Sequence, residues 1–298
     1  MTSARHARFP LPSQTLQLPS TAHMNADPAQ RTPARPPVGA PKSELGLPRW
    51  RFWPVWRRNA LVWRKLAWPS LLGNIAEPLL TLAAFGWGVG SLVGRVDGVP
   101  YILFLASGTV SMSVMNSASF EALYSAFSRM HVQKTWDAIL LTPTGLDDVL
   151  LGELLWAATK ALTSGVALVA VVALLGISRE PTLLAVLPLL ALVGMMFSAL
   201  GLIINALAKS YDFFTYYFTL VLTPMTFLSG IFFPLSAMPS WLQDLARVLP
   251  LQAAVQLVRP LFFGHWDAHA PQHLAILLAY LAAGWLIARW LTQRRFAA

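Results

Sequence analysis

Residues Phe227 to Gly264 read FLSGIFFPLSAMPSWLQDLARVLPLQAAVQLVRPLFFG, and in them an apolar stretch ends without the chain crossing straight back. Pro239 and Ser240 open a first short piece, with Ser240 placed to cap backbone N–H groups and Gln243 to reach back. Trp241, Leu242, Leu245, Val248 and Leu249 share one face of it, and Pro250 stops it. A second piece sets Leu251, Ala254, Val255 and Val258 against Gln252, Gln256 and Arg259, until Pro260 ends it. Two amphipathic pieces between one long apolar stretch and the next describe a re-entry at a membrane surface rather than a loop.

The rest of the chain needs lipid as well. Of 298 residues, 56% are hydrophobic and only 12% charged, and the mean hydropathy is +0.55. One soluble globule cannot hide that much apolar surface. Spans are expected near Ser70 to Gly94, Tyr101 to Phe127, Val149 to Ile177, Leu183 to Ala208, Phe213 to Phe233 and His273 to Leu291. Arg49, Arg51, Arg57, Arg58, Arg64 and Lys65 fall on one side of these, as do Arg129, Lys134, Lys209, Arg289, Arg294 and Arg295. Only Arg95, Arg179, Arg247 and Arg259 fall on the other. The positive-inside rule therefore puts both termini in the cytoplasm. The net charge of +9 reads as a topology signal and as attraction to anionic lipid headgroups, not as a nucleic-acid surface. The chain has no Cys, which excludes disulfides, thiol chemistry and thiolate metal sites. No internal repeat is evident, so a second copy of the chain is expected to complete the transporter.

Residues 1–48 are of a different material, with Pro10, Pro12, Pro19, Pro28, Pro33 and Pro36 scattered among Ser, Thr, Ala and Arg. They are expected to form a disordered cytoplasmic extension ahead of a membrane domain over 49–298, with Met24 an alternative start. No continuous apolar core marks a secretory signal there, so the chain is expected to insert by its first span and keep its N-terminus. From Trp50 to Trp68 the spacing predicts a helix lying along the membrane. Trp56, Asn59, Ala60, Trp63, Leu66 and Ala67 form one face, and Arg57, Arg58, Arg64 and Lys65 the other.

Between the second and third spans, Trp136, Ile139, Leu140 and Pro143 make an i, i+3, i+4, i+7 stripe, with Lys134 and Asp137 on the wet side. Thr142, Pro143, Thr144 and Gly145 then break the helix. Such a ridge can dock in a groove of another protein or tuck under its own bundle. Glu77, Glu121 and Lys160 lie in or near spans, where a charge is costly enough to mark a functional candidate. Lys160 can pair with Glu121 or Glu153, which makes those charges structural; alternatively Glu77 or Glu121 faces a substrate path. Tyr211, Phe213, Phe214, Tyr216, Tyr217 and Phe218 form either an interfacial belt or a stacking surface, with Tyr216 a path candidate. Asp147 is placed to cap the third span.

Several chemistries are missing from the sequence. None of Lys42, Lys65, Lys134, Lys160 and Lys209 follows a Gly, so the chain has no G-K-[ST] phosphate loop. His265, Asp267 and His269 lack a fourth ligand and read as a solvated loop, leaving no metal site. No catalytic residue is assigned, and no cofactor is expected on this chain.

The order of Ser229-Gly230, Phe232-Phe233-Pro234, Pro239, Trp241-Leu242, Pro250-Leu251, Arg259-Pro260 and Gly264 resembles the signature region of ABC-2 type transport permeases. WRRNALVWRK from Trp56, NIAEPLLTLAAFGWGVG from Asn74 and KTWDAILLTPTGLDDVLLGELLWAATKA from Lys134 look most like the nodulation protein J family. The resemblance implies an all-α membrane fold of six transmembrane helices. It adds an N-terminal interfacial helix, a cytoplasmic coupling helix, and short extracytoplasmic helices before the last span.

The resemblance further implies coupling to a separate ATP-binding subunit, which carries ATP and Mg, through Trp136, Asp137, Ile139, Leu140, Thr142 and Pro143. Trp136 would be the anchor and Asp137 a rim contact, and the helix around Trp56 and Trp63 would help transmit movement. The implied setting is the bacterial inner membrane. The implied function is export of an amphiphile, in particular a lipo-chitin oligosaccharide; a drug or polyketide exporter is the alternative. A secondary transporter relying on Glu77, Glu121 and Lys160, and a membrane transferase using Asp147 and Asp148, are readings from other classes.

Overall fold

The computed structural model describes residues 51–297, so the expectation for the N-terminal extension lies outside the described residues. Almost everything described is helical. Helix α1 is Phe52–Arg64, α2 is Ala67–Val93 and α3 is Tyr101–Val132. A short α4, Thr135–Leu140, follows, then α5, Leu146–Leu174, and α6, Leu183–Leu207. Helix α7 covers 212–228 in pieces of six, five and six residues, the middle one with π geometry. The last three are α8, Ser240–Val248, α9, Pro250–Phe262, and α10, Ala270–Ala297. Arg95–Val96 and Val99–Pro100 pair as a two-residue hairpin, turned by Asp97 and Gly98, both at positive φ.

Among the described residues five helices, α2, α3, α5, α6 and α10, are long and apolar enough to cross a membrane. The chain is therefore a multi-pass membrane protein. The sixth expected span, Phe213 to Phe233, is the composite α7, shorter than the other five because Ser229 and Gly230 end the helix, with Gly230 at φ 70°. Helix α3 is the most buried of the five and lies against α5, α6 and α9. At Gly108 the backbone of Ile231 comes so close that an added Cβ would sit 3.0 Å from its Cα, which lets the turn after α7 approach α3 directly.

Helix α1 packs on α5 instead of only lying along lipid. Val55 and Asn59 are buried, the Trp56 indole N–H donates to Thr159 Oγ1 at 3.0 Å, and Trp63 meets Trp156 edge-on at 5.9 Å. The face expected in the acyl boundary is thus turned mainly toward the protein. Leu61, Val62 and Leu66 are exposed beside it. The contact depends on Gly152 of α5, where an added Cβ would fall 2.7 Å from Val55 Cβ and 3.0 Å from the Phe52 carbonyl oxygen. Gly152→Leu is expected to push α1 away at about 1–3 kcal/mol. Loss of quenching between a label on α1 and one on α5, with the protein still inserted, would report it; unchanged quenching would show that α1 is held elsewhere.

Residues 227–264 form two helices, α8 and α9, after the turn that ends α7. Ser240 is the first residue of α8 and makes no capping bond, because Pro239 occupies the cap position. Gln243 does reach back, donating from Nε2 to the Met238 carbonyl at 2.9 Å. Helix α9 runs through Pro260 to Phe262; a proline loses one backbone hydrogen bond but does not stop a helix whose neighbours hold it. Leu251, Ala254, Val255 and Val258 are fully buried, and so nearly is Gln252. This helix is inserted against α3 and α10 rather than floating at a surface.

Candidate functional site

Two places gather polar side chains among apolar helices. The first lies where α3 gives way to α4. The Arg129 guanidinium donates to Glu153 from Nε at 2.9 Å and, through Nη2, forms a second contact; Nη1 lies 3.0 Å from Glu121 Oε1. Glu121 also takes Lys160 Nζ at 2.7 Å and the Trp156 indole N–H at 2.8 Å. Glu153 takes the Trp136 indole N–H at 3.1 Å. Two carboxylates and two cations thus neutralise one another, and both indoles fill the remaining acceptor positions, the condition under which buried charge is tolerable. π-Helical turns at Glu121–Ser125 and Ser128–Val132 aim Glu121 and Arg129 into this cluster.

Helix α1 joins the same region. Arg51 Nη1 donates to the Pro143 carbonyl at 3.0 Å, and Arg58 Nη2 to Thr135 Oγ1 at 3.4 Å. Burial lowers the Arg58 pKa, nearby Arg129 lowers it further, and Glu153 opposes both. Phe296 of α10 stacks on Trp136 at 6.1 Å, and Arg289 grips Asp147 through two bonds of 3.0 and 2.7 Å. Asp147 therefore holds the last helix rather than capping α5. The neighbouring Asp148 accepts the Gly145 N–H at 3.1 Å in its stead.

The second place is a cleft of about 430 Å³ between α2, α3 and α7. Asn74, Glu77 and Thr81 come from α2, and Ser113, Asn116 and Ser117 from α3. Phe120, Phe218, Phe227 and Phe232 supply aromatic surface. Pro78 carries no N–H, so the Asn74 carbonyl loses its helical donor beside the cleft. An apolar pocket of about 450 Å³ adjoins it, lined by Phe85, Val89, Val93, Val96, Tyr101 and Pro234, and shares Phe227 and Phe232 with the cleft. π turns border both cavities, Leu82–Val89 at the pocket and Phe218–Leu222 at the cleft.

The turn forming the shared wall is pinned from two sides. Tyr101 Oη donates to the Phe232 carbonyl at 3.0 Å. Arg259 donates to the Gly230 carbonyl at 2.7 Å and to Ser107 Oγ at 3.1 Å, with its guanidinium 3.8 Å from the centre of the Phe104 ring. Burial pushes the Arg259 pKa down to about 10, with Asp97 opposing, so it stays charged at neutral pH.

Residues 51–263 match the family described as ABC-2 type transporter. The chain belongs to the ABC-2 type transporter family. This permease is 45% identical to nodulation protein J of Rhizobium meliloti over 246 residues, 83% of this chain and 94% of that one. It is 46% identical to nodulation protein J of Rhizobium leguminosarum bv. trifolii over 241 residues, 81% and 92% of the two chains. The inner membrane transport permease YadH of Escherichia coli is 25% identical over 240 residues, 80% and 93%. Membership implies an ABC ATP-binding partner.

The residues singled out in the permease sequence separate into distinct settings. Trp136 is 1% exposed and bonded to Glu153, so its ring anchors α4 to its own bundle; an outward anchor needs a free face. Asp137, Ile139 and Leu140 are half-buried, while Thr142 and Pro143 are exposed. The outward ridge is carried by Leu141, 79% exposed, which the stripe of four had passed over. Arg57, Arg64 and Lys65 are exposed, whereas Arg58 turns inward. Glu77 lines the cleft. Glu121 does not; it is locked in the ion cluster, as pairing with Lys160 requires. Tyr216 is exposed and lines neither cavity.

The aromatic group before it is partly core. Phe214 is fully buried, packed edge-on against Tyr124 and Phe127 at 5.1 and 5.2 Å. At the opposite end of the chain, Asp267 accepts the His269 backbone N–H at 3.0 Å, a bond that holds its carboxyl below the usual range and makes the segment a loop turn. Arg129 is the member of the ion cluster that sequence reasoning missed, having been counted only as a topology charge. Its place two residues beyond Phe127, the expected end of an apolar span, was the signal available.

Proposed function

We propose that this chain is the membrane half of an ATP-driven exporter. In this reading it forms a homodimer, joins two copies of a separate ATP-binding subunit that carries ATP and Mg, and moves a lipo-oligosaccharide out of the cytoplasm. It sits in the bacterial inner membrane, in contact with lipid and with both termini cytoplasmic. It crosses six times, with α7 as the short fifth crossing. Similarity to nodulation protein J favours a cargo of lipo-chitin oligosaccharide type.

The observation that carries the reading is the shared wall. A cleft of amides, hydroxyls and aromatic faces suits a sugar headgroup, and the apolar pocket beyond Phe227 and Phe232 suits an acyl chain. One amphiphile can occupy both at once. A drug or polyketide exporter, the second reading, would need only the apolar pocket.

ATP binding draws the two partner subunits together, and α4 with α1 passes that motion to α3 and α5 through the ion cluster. Helices α8 and α9 then roof the exit. Mild solubilisation from native membranes tests the assembly. A stoichiometric partner carrying a phosphate-binding loop is the expected result, and transport by this chain alone, without ATP, would overturn it in favour of a secondary transporter.

A further inference from the structure

We propose that α6 and α10 move as one rigid pair and carry a displacement of α4 directly to α8 and α9, with Phe296 the positioning residue at one end and Tyr280 at the other. This link runs beside the ion cluster, and it rests on the reading that α4 meets the ATP-binding subunit.

The last turns of α10 are tied to α4, α5 and α6 at once. Phe296 stacks on Trp136 of α4. Arg289 and Gln293 both donate to Asp147, in the first turn of α5. Arg295 Nη1 donates to the Asn205 and Ala206 carbonyls at 3.0 and 2.7 Å. Those carbonyls lie in the last turn of α6, where no helical N–H remains for them.

At the opposite end the same pair holds α8 and α9 where each stops. Tyr280 Oη donates at 3.0 Å to the carbonyl of Val248, the last residue of α8. Thr182 and Ser178, in the segment leading into α6, donate to the carbonyls of Leu261 and Phe262, the last two residues of α9, at 2.5 and 2.9 Å.

Between these ends the pair is stiff. Helix α10 has no proline beyond its first turn and no π turn such as those in α2 and α3, so it has no built-in place to bend. Gly284 brings it onto α6, where an added Cβ would lie 3.2 Å from Ala199 Cβ. Pro188, the proline inside α6, falls near the start of that helix, ahead of this contact. About 24 Å of helix separates Tyr280 from Phe296. A shift of α4 that moves Phe296 therefore moves the ends of α8 and α9 with it.

The chain has no cysteine, so Trp241→Cys, on the exposed face of α8, takes a single polarity-sensitive bimane label. Its emission is read in lipid nanodiscs holding the chain with its copurified ATP-binding partner, before and after ATP, Mg and vanadate, against the unsubstituted complex as background. Phe296→Ala and Tyr280→Phe are each expected to reduce the ATP-induced change about fivefold, while hydrolysis and retention of the partner stay as in the parent. Combined, they should lose no more than the larger single loss, since links in series are not additive. Phe296→Tyr, which keeps the stacked ring, should keep the change.

An undiminished change in either single variant, or losses that multiply in the double, overturns the link and leaves ATP-driven export standing. A change that falls only together with partner retention makes Phe296 part of the docking surface alone, and overturns the link as well. No change in the parent despite hydrolysis means that the partner does not move α8, which overturns the inference by itself. Absence of any ATP-hydrolysing partner overturns the reading of α4 on which the link rests.

Discussion

Glu153→Ala is expected to destabilise the permease by about 3–5 kcal/mol, because it leaves the Arg129 guanidinium buried with one of its two carboxylates gone. It also strips the Trp136 indole of its acceptor, so α4 loses its tie to α5 in the same step. Thermal unfolding in detergent, followed by tryptophan fluorescence, reads the loss. The companion pair Arg129→Met with Glu153→Gln removes the ion pair but keeps an acceptor for Trp136. It is expected to recover most of the stability, since a buried pair often does no better than apolar residues of similar volume. Export should not recover with it, if the ion pair is what carries motion from α4 into α3 and α5. A Glu153→Ala protein as stable as the parent would show that the cluster is not a structural tie.

The second large effect separates two neighbours on α4. Trp136→Ala is expected to cost about 3–5 kcal/mol through the cavity it leaves, and so to reduce the amount of folded protein. An anchor seated only in a partner subunit would lose coupling without loss of folded protein, whereas this ring fills the chain's own interior. Leu141→Asp, on the exposed side, should change stability by no more than about 0.5 kcal/mol. If Leu141 fills a pocket of the ATP-binding subunit, the same change should weaken that association by about 2 kcal/mol or more, roughly thirtyfold. Retention of the partner on tagged permease, beside the melting temperature of each variant, distinguishes the two. Full retention with Leu141→Asp would remove Leu141 from the coupling surface.

That the sequence left open which side Trp136 faces has a physical reason. Helical spacing identifies an apolar stripe, but lipid, a partner's groove and the chain's own bundle are all apolar, so periodicity alone cannot choose among them. The face of Trp56, Asn59 and Trp63 met the same ambiguity, and its indoles found Thr159 and Ser70 rather than headgroups. The re-entry at 227–264 was legible because prolines and glycines punctuate it. Its depth was not, since Gln252 and Arg259 read as a polar face until Ser107 and Gly230 were seen to satisfy Arg259.

Charge was legible in kind but not in pairing. Lys160 had two carboxylates within reach by spacing, and the structure gives it Glu121, with Arg129 bridging Glu121 and Glu153. The π turns that bring Arg129 to that position leave no mark in hydrophobic periodicity. Glu77 was one of three path candidates, and only its cleft sets it apart from Glu121 and Tyr216. Five apolar helices stand out by length; α7 was read as a sixth because its composition matches theirs, although Ser229 and Gly230 shorten it.

The proposed activity is ATP-driven export of an amphiphile with a sugar headgroup. Inside-out membrane vesicles containing this chain and its copurified partner, supplied with a fluorescent lipo-chitin oligosaccharide, test it most directly. The expected result is accumulation inside the vesicles that needs ATP and Mg, is abolished by a non-hydrolysable ATP analogue, and survives collapse of the ion gradients. Accumulation driven by an ion gradient without ATP, or none of this cargo alongside vigorous uptake of an apolar drug, would contradict it.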